Sequence, residues 1–182
     1  EDRTPEFKAM NPFNKCPVLK DGDFVIAESS ACLRYLALKY VPSLYPTSDP
    51  QTCGRIDWAI DSMHCEIYAA WDLVVYVRCG FTPAPADQGA ANDKLNAVVD
   101  AWLTTFLKGK FVGGDALTIA DFKAVPFLIC LSHKALAKVG YAPTSAERIQ
   151  AYVDAFFAEV PCATMMKSAE GHSILEFLDG LE

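Results

Sequence analysis

The sequence predicts an α+β to mostly α fold, in which a short mixed segment precedes an all-helical remainder. A D-G step at Asp21-Gly22 separates two β-prone runs, 17–20 and 24–27, and so predicts a hairpin. Beyond residue 50, apolar residues recur at helical spacing in several stretches. Hydrophobic residues make up 52% of the 182 residues and charged residues 21%, which is enough apolar material for a core.

The mixed segment continues from the hairpin into a helix that starts near Ser29. Apolar residues then recur at helical spacing up to Tyr40, and Ser29 or Ser30 is available as the N-cap. Prolines and serines follow over 42–50, which is the composition of a linker. The predicted division is therefore a domain at 1–41, a linker at 42–50 and a helical domain at 51–182.

The helical remainder shows one long apolar stripe and three further helices. The stripe consists of Ile56, Ile60, Met63, Ile67, Trp71 and Val74. These residues predict one face of a long helix that ends at Thr82-Pro83-Ala84-Pro85. A second stripe consists of Leu95, Val98, Val99, Trp102 and Phe106, and a fourth helix carries Ile149, Tyr152, Val153, Phe156 and Phe157. The third helix starts near Ile119, and shorter helical pieces are expected after Pro161 and Gly171.

Charge and composition argue against several classes of partner. The net charge of −7 repels phosphate backbones, so nucleic acid is a poor partner. No run of eighteen apolar residues occurs, so no membrane span is expected. The seven cysteines and three histidines show no metal-ligand spacing, and we expect reduced thiols in a cytoplasmic protein. The histidines have no evident partners in the sequence.

Two short motifs in the mixed segment each allow two interpretations. Glu28-Ser29 stands where a strand meets a helix, and a helix N-terminus with a hydroxyl and a carboxylate beside it suits a zwitterionic amino-acid end. The same pair also fits a plain serine N-cap with an acidic neighbour. Pro17 is either a cis-proline that turns the backbone of Cys16 outward or an ordinary proline at the start of a strand.

The helical part contains a capping box and a group of aromatic residues. Thr118 as N-cap and Asp121 at the third helical position predict a structural cap with no role in chemistry. Tyr68, Trp71 and Tyr76 lie on or beside the long helix. Their default role is in the core or in the lining of a pocket.

Three stretches in the same order resemble the cytosolic glutathione S-transferase family, with a theta-like or related eukaryotic flavour. Phe7 to Leu19 is similar to the family's F…NP.gkvPvL stretch, and Asp21 to Leu36 is similar to dgdf.l.ES.AIl.YL. Phe111 to Asp121 is similar to flaGd.lTiAD. Each stretch alone is common, whereas three in order form a specific signal. The resemblance implies a partial thioredoxin-like N-terminal domain followed by an all-α C-terminal domain.

The resemblance also implies a function and a set of site residues. Glutathione is the implied co-substrate, with no metal, and its implied contacts are Lys15, Cys16, Pro17, Glu28 and Ser29. Tyr68, Trp71 and Tyr76 are candidates for a pocket that holds a small hydrophobic electrophile. Cys16 stands where the family has valine, and we expect its thiol to be buried and inert. A homodimer packed along the long helices is expected.

The chain departs from the family pattern at its start. Family members begin with a strand, a helix and a strand, and the residue that activates the thiol lies near that first strand. Nothing here corresponds to it, so no catalytic residue is assigned and the activity of these 182 residues alone is doubtful. Two alternatives to a transferase remain: a non-catalytic scaffold with this fold, and a cysteine-type glutathione-dependent reductase or peroxidase.

Overall fold

A computed structural model describes residues 4–161 and 174–181. The chain forms two compact units, whose border lies between Gly54 and Arg55. The residues predicted as a linker, 42–50, belong to the first unit and include a short 3₁₀ turn at Pro42–Leu44. The described residues therefore combine a small two-stranded sheet with many helices, and the predicted fold class is confirmed.

The first unit is built around the predicted hairpin. Helix α1 (Pro5–Met10) precedes strands β1 (Val18–Asp21) and β2 (Phe24–Ala27), which pair antiparallel. The register places Val18 opposite Ala27 and Asp21 opposite Phe24, so the turn consists of two residues. Gly22 in that turn has a φ of +61°, a conformation that glycine adopts without steric cost. The D-G step therefore predicted the turn correctly.

Helix α2 (Ser29–Tyr40) follows β2 directly, and its N-cap differs from the prediction. The cap residue is Glu28, not Ser29 or Ser30, and its side chain makes no capping hydrogen bond. The chain passes from the strand to the helix through a single residue, so Ser29 already lies in the first turn. Side-chain contacts hold the helix to the hairpin, because the Asp21 carboxylate accepts hydrogen bonds from Tyr35 Oη at 2.7 Å and from Lys39 Nζ.

A long helical stretch begins in the last residues of the first unit and continues into the second. It consists of α3 (Pro50–Ser62), a π-helical segment at Met63–Tyr68, α4 (Ala69–Trp71), a second π-helical segment at Asp72–Tyr76 and α5 (Val77–Cys79). All six residues of the predicted stripe are buried. The predicted end at 82–85 is wrong, because Gly80 terminates the helix with a φ of +75°.

The described part of this unit also contains four further α-helices and two 3₁₀ helices. The α-helices are α6 (Gln88–Phe106), α7 (Ile119–Leu128), α8 (Ala146–Glu159) and α9 (Ile174–Asp179). The 3₁₀ helices are Ile129–Ser132 and Lys134–Val139. The apolar residues predicted for α6 and α8 are buried, except Val98, which is half-buried. The helical piece expected after Gly171 is α9, whereas the piece expected after Pro161 lies outside the described residues.

Hydrogen bonds from buried side chains join these helices. Trp102 Nε1 on α6 donates to the carbonyl oxygen of Ala59 on α3 at 3.1 Å. Trp71 Nε1 on α4 donates to the carbonyl oxygen of Phe127 on α7, also at 3.1 Å. Each bond satisfies the polar atom of a large buried ring, so burial of the tryptophans leaves no donor unpaired. Across 4–161 and 174–181, no helix has the length and hydropathy that a membrane crossing requires.

Candidate functional site

The hairpin brings two separate parts of the sequence to the same end of the small sheet. Val18 begins β1 and is paired with Ala27, the last residue of β2. Cys16 and Pro17 come just before Val18, and Glu28 and Ser29 come just after Ala27. Paired residues of an antiparallel ladder lie about 5 Å apart, so the register places four of the five implied glutathione contacts at one end of the hairpin.

Cys16 presents both its backbone and its thiol at this end. The Cys16–Pro17 peptide bond is cis, which decides between the two interpretations of Pro17. Within the described part of the chain, no hydrogen bond engages the amide or the carbonyl group of Cys16. The residue is exposed, so the expectation of a buried thiol is wrong. Cys16 lies in the loop ahead of strand β1, which begins at Val18.

Glu28 has an unusual backbone conformation at the junction between β2 and α2. Its φ of +71° and ψ of 119° fall in a region that residues other than glycine rarely occupy. Such conformations cost about 1–3 kcal/mol and occur preferentially at functional sites. The side chain is exposed, and half-buried Ser29 follows at the first position of α2. The N-terminus of a helix attracts negative charge, and the Glu28 carboxylate attracts positive charge. The junction can therefore bind a carboxylate group and an ammonium group side by side.

Lys15 is exposed, and the loop that carries it is held by a buried asparagine. Asn11 is only 2% exposed. Its Nδ2 donates to the carbonyl oxygen of Lys15 at 2.7 Å, and its Oδ1 accepts from the amide of Phe13 at 3.1 Å. Asn11 therefore fixes the backbone just ahead of Cys16. The sequence reading did not assign it a role, although its Asn-Pro step is a turn signal.

Tyr68, Trp71 and Tyr76 lie together in one aromatic cluster of the second unit. The ring centroids of Trp71 and Tyr76 are 5.0 Å apart, those of Tyr68 and Tyr76 are 6.4 Å apart, and Phe127 lies 5.5 Å from Trp71. Trp71 is buried, whereas the two tyrosines are half-buried. Burial, followed by the neighbouring Tyr68, raises the pKa of Tyr76 to about 12, so its hydroxyl stays protonated at neutral pH.

A separate apolar groove lies between the long helical stretch and α6. Its cavity measures about 200 Å³ and is lined by Trp58, Ser62, Glu66, Ile67, Val98, Ala101, Trp102, Thr105 and Phe106. Trp58 is 59% exposed and contacts the edge of Phe106 at a centroid distance of 4.8 Å. None of the three aromatic residues that the resemblance implied for a substrate pocket lines this groove, which makes it a different surface.

The predicted capping box is present and carries a larger network than the sequence suggested. Asp121 is fully buried, and its Oδ2 accepts from the amide and the hydroxyl of Thr118 at 2.7 and 2.9 Å. Its Oδ1 accepts from the amide of Val112 at 2.9 Å and from Tyr152 Oη at 2.7 Å. Burial raises the pKa of Asp121, and these hydrogen bonds act in the opposite direction.

The histidines differ from the expectation in one case. His133 Nε2 lies 3.1 Å from Asp179 Oδ1, and its Nδ1 accepts from the amide of Ala135 at 3.2 Å. The prediction of histidines without partners is therefore wrong for His133, because the fold brings in a carboxylate 46 positions away. His64 stacks on Tyr68, and His172 lies outside the described residues. Within the described ranges, no group of three metal-ligating side chains exists.

Two family models match this chain. The model for the N-terminal domain of glutathione S-transferase matches residues 1–39, and the model for the C-terminal domain matches residues 65–159, slightly more than half of the chain. The first of these matches contains every residue at the end of the hairpin described above. The second contains the aromatic residues Tyr68, Trp71 and Tyr76 and the buried Asp121.

Curated relatives and solved structures agree with these models. Glutathione S-transferase F10 of Arabidopsis thaliana is 34% identical over an alignment of 138 residues that covers 70% of this chain and 62% of the relative. Glutathione S-transferase theta-1 of Bos taurus is 34% identical over an alignment of 131 residues that covers 68% of this chain and 55% of the relative. The match thus spans less than two thirds of each relative's length.

Among solved structures, a delta-class glutathione transferase of Nilaparvata lugens superposes on the whole of this chain and on 82% of its own, with a TM-score of 0.79 and 26% identity. Both domain models, the curated relatives and the fold therefore lead to the same assignment. The chain belongs to the glutathione S-transferase family.

Proposed function

We propose that the protein to which this chain belongs transfers glutathione to small hydrophobic electrophiles, with the thiolate of glutathione as the nucleophile. One observation carries the proposal. The hairpin register brings the unpaired backbone of Cys16 to the same end of the sheet as Glu28 and the N-terminus of α2. An extended peptide with a zwitterionic end fits this arrangement, because the backbone offers hydrogen bonds and the helix end offers charge complementarity.

The charges along this surface determine which end of the peptide binds at which residues. The γ-glutamyl ammonium group binds beside Glu28, and its carboxylate binds at Ser29 and the first free amides of α2. The cysteinyl unit pairs with the backbone of Cys16, next to Pro17. The glycyl carboxylate then lies toward Lys15. These contacts bind and orient glutathione, and no residue of this chain is assigned to activation of its thiol.

The second substrate is proposed to contact the aromatic cluster. Tyr68 and Tyr76 are half-buried, so part of each ring is accessible to a ligand. Buried Trp71 packs against both rings. Aromatic rings bind planar apolar molecules through stacking and through burial of apolar surface. A small hydrophobic electrophile is therefore the expected substrate class, and detoxification in the cytoplasm is the expected role.

A homodimer is also proposed, with contact along the long helices. The groove beside Trp58 presents an exposed indole next to a mostly apolar cavity. An exposed tryptophan is a common anchor of protein interfaces, and a two-fold contact would bury both copies of it. The proposed domains are those of the predicted division, 1–41 and 51–182.

Substitution of Glu28 in the full-length protein tests the transferase proposal. We expect the unmodified protein to conjugate glutathione to 1-chloro-2,4-dinitrobenzene and to bind S-methylglutathione in a calorimetric titration. Glu28→Gln removes the charge that holds the ammonium group, and we expect it to raise the Kd about ten-fold. Asp23→Asn is the matched control, because Asp23 is an exposed acidic residue in the turn at the other end of the hairpin.

The outcomes separate the proposed functions. An unmodified protein that neither binds S-methylglutathione nor conjugates the electrophile would contradict the proposal and favour a non-catalytic scaffold. Binding with reduction of disulfides or hydroperoxides in place of conjugation would favour the reductase alternative. Equal effects of Glu28→Gln and Asp23→Asn would show that the hairpin end is not the binding site.

A further inference from the structure

Both a buried leucine and polar side chains attach helix α9 to the rest of the second unit. The side chain of Leu178 is fully buried. His133 Nε2 lies 3.1 Å from Asp179 Oδ1, and Arg78 Nη2 donates to the carbonyl oxygen of Leu181. A helix of six residues has little stability of its own, so tertiary contacts of this kind set its orientation.

The polar contacts start from one turn of the chain. His133 Nδ1 accepts from the amide of Ala135 at 3.2 Å, so the proton of the neutral imidazole lies on Nε2, from which it is donated to Asp179. Arg78 Nε donates to the carbonyl oxygen of Ala135 at 2.8 Å, while its Nη2 donates to Leu181. The turn therefore sets the direction of both donors toward α9.

Helix α9 carries an aromatic ring to the edge of the aromatic cluster. The ring centroid of Phe177 lies 5.1 Å from that of Phe81, and the ring of Phe81 lies 5.6 Å from that of Tyr76. Phe177 is 41% exposed and Phe81 is 61% exposed, so both rings keep accessible apolar surface. A row of aromatic rings thus leads from the proposed electrophile site to α9.

The polar contacts determine where the ring of Phe177 lies. Burial of Leu178 holds α9 through the hydrophobic effect, which has no preferred direction. Hydrogen bonds are directional, and Asp179 and Leu181 follow Phe177 by two and four positions, so their contacts fix the rotation of the helix about its axis. Without these contacts we expect α9 to remain attached through Leu178 but to hold Phe177 less firmly against Phe81.

We propose that His133 and Arg78 are positioning residues for the second substrate, because they hold Phe177 at the outer edge of the electrophile site. The inference rests on the proposed function and adds a determinant of specificity to it. Phe177 supplies apolar surface to an aromatic electrophile. The positioning residues therefore affect the affinity for the electrophile and leave the affinity for glutathione unchanged, since the implied glutathione contacts lie in the first unit.

Substitutions at His133 separate the contact with α9 from the structure of the turn. His133→Asn keeps an acceptor for the amide of the turn but is too short to reach Asp179. His133→Gln does the reverse, because its longer side chain places an amide donor near the position of Nε2. Arg78→Lys keeps the charge, but one ammonium group does not reproduce the two bonds of the guanidinium group. Arg55→Lys is the matched control, since Arg55 is an exposed arginine near the start of the long helical stretch that also donates to a backbone carbonyl oxygen.

Steady-state kinetics and hydrogen exchange of the full-length protein test the proposal. We expect His133→Asn and Arg78→Lys to raise the KM for 1-chloro-2,4-dinitrobenzene about three-fold or more and to change the KM for glutathione less than about two-fold. Exchange at the amides of α9, followed by mass spectrometry, should become about five-fold faster in both variants. His133→Gln and Arg55→Lys should behave as the unmodified protein does.

Equal changes in the two KM values, or a change in neither, would overturn the role of these residues while the unmodified protein still conjugated the electrophile. A loss in His133→Gln as large as that in His133→Asn would overturn it too, because the effect would then come from the turn. If one of the variants at His133 and Arg78 failed to fold, the other would decide the question. An unmodified protein without conjugating activity would instead contradict the proposed function, and exchange at α9 would still show whether His133 and Arg78 hold the helix.

Discussion

Cys16 and Cys65 are exposed, whereas Cys32, Cys79 and Cys130 are buried. Burial raises the pKa of all three buried thiols, and for Cys130 it raises the pKa to about 12. Since the thiolate is the reactive form, burial removes both access and nucleophilicity from these side chains. Among the described cysteines, of which Cys53 is half-buried, chemical modification at neutral pH should therefore report mainly on exposed Cys16 and Cys65. Of these two, Cys16 lies in the proposed site.

Protection from alkylation is the expected consequence at Cys16. We predict that saturating S-methylglutathione slows the reaction of Cys16 with iodoacetamide about ten-fold, because a bound peptide covers the residue with which its backbone pairs. Cys65 in the same sample is the internal control and should react at an unchanged rate. Peptide mapping by mass spectrometry measures both rates. Equal protection of the two thiols, or none at Cys16, would contradict the placement of the ligand.

At the scale of the element, α7 depends on a buried carboxylate more than on its own sequence pattern. Asp121 receives donors from the residue before its helix, from the turn at Val112 and from α8. A side chain with this many partners joins three segments of the chain. The turn itself is tight, because a Cβ at Gly113 would lie 2.5 Å from the carbonyl oxygen of Ala116.

We predict that Asp121→Asn lowers the free energy of unfolding by about 3 kcal/mol. Both carboxylate oxygens of Asp121 accept hydrogen bonds from buried donors. In asparagine one of these oxygens becomes an NH₂ group, so the donors on that side lose their acceptor in either orientation of the amide. Urea unfolding followed by circular dichroism measures the change. Asp115→Asn, which alters an exposed carboxylate six positions earlier, should change the stability by less than about 0.5 kcal/mol. Similar losses in both variants would contradict this role.

The elements also show where sequence patterns are informative. Apolar spacing identified the buried face of the long helix and of α8, since burial of that face drives the packing. It did not predict the two π-helical segments. Periodicity indicates which side chains face inward, but it does not indicate which carbonyl oxygen accepts the hydrogen bond of each backbone amide. The N-cap at Glu28 was also not predicted. The preference of serine for the N-cap position is a local property, whereas the point at which α2 begins is set by the end of β2 in the hairpin.

At the scale of the molecule, the candidate site could be predicted only from the order of several motifs. The motifs that contain Lys15, Cys16, Pro17, Glu28 and Ser29 are individually common. The hairpin register explains why the last four of these residues lie at the same end of the sheet. The role of Asn11 could not be assigned from sequence, because it depends on the hydrogen bonds that its side chain makes in the folded loop. The contact between His133 and Asp179 could not be predicted either, because the two residues are 46 positions apart in the sequence.

Association of two copies is the prediction at this scale. We expect the full-length protein to sediment as a dimer and Trp58→Glu to shift it toward the monomer, because the substitution places two like charges in an apolar contact. Analytical ultracentrifugation over a range of concentrations measures the equilibrium. Phe81→Glu is the control, since Phe81 is an exposed aromatic residue that does not line the groove. An unchanged dimer in Trp58→Glu would place the contact elsewhere.

The π-helical segment at Asp72–Tyr76 changes which side chains the end of the long helix turns inward. Continued at α-helical spacing, the buried stripe would pass from Val74 to Arg78, yet the residues buried after it are Val75 and Cys79. The wider turn holds one residue more than an α-helical turn and moves the pattern by one position. Arg78 is thereby placed at the side, where its Nε donates to the carbonyl oxygen of Ala135 at 2.8 Å. Homologous chains can therefore differ in length by one residue at this point and keep the same core, so the segment is a natural position for a single-residue gap in an alignment.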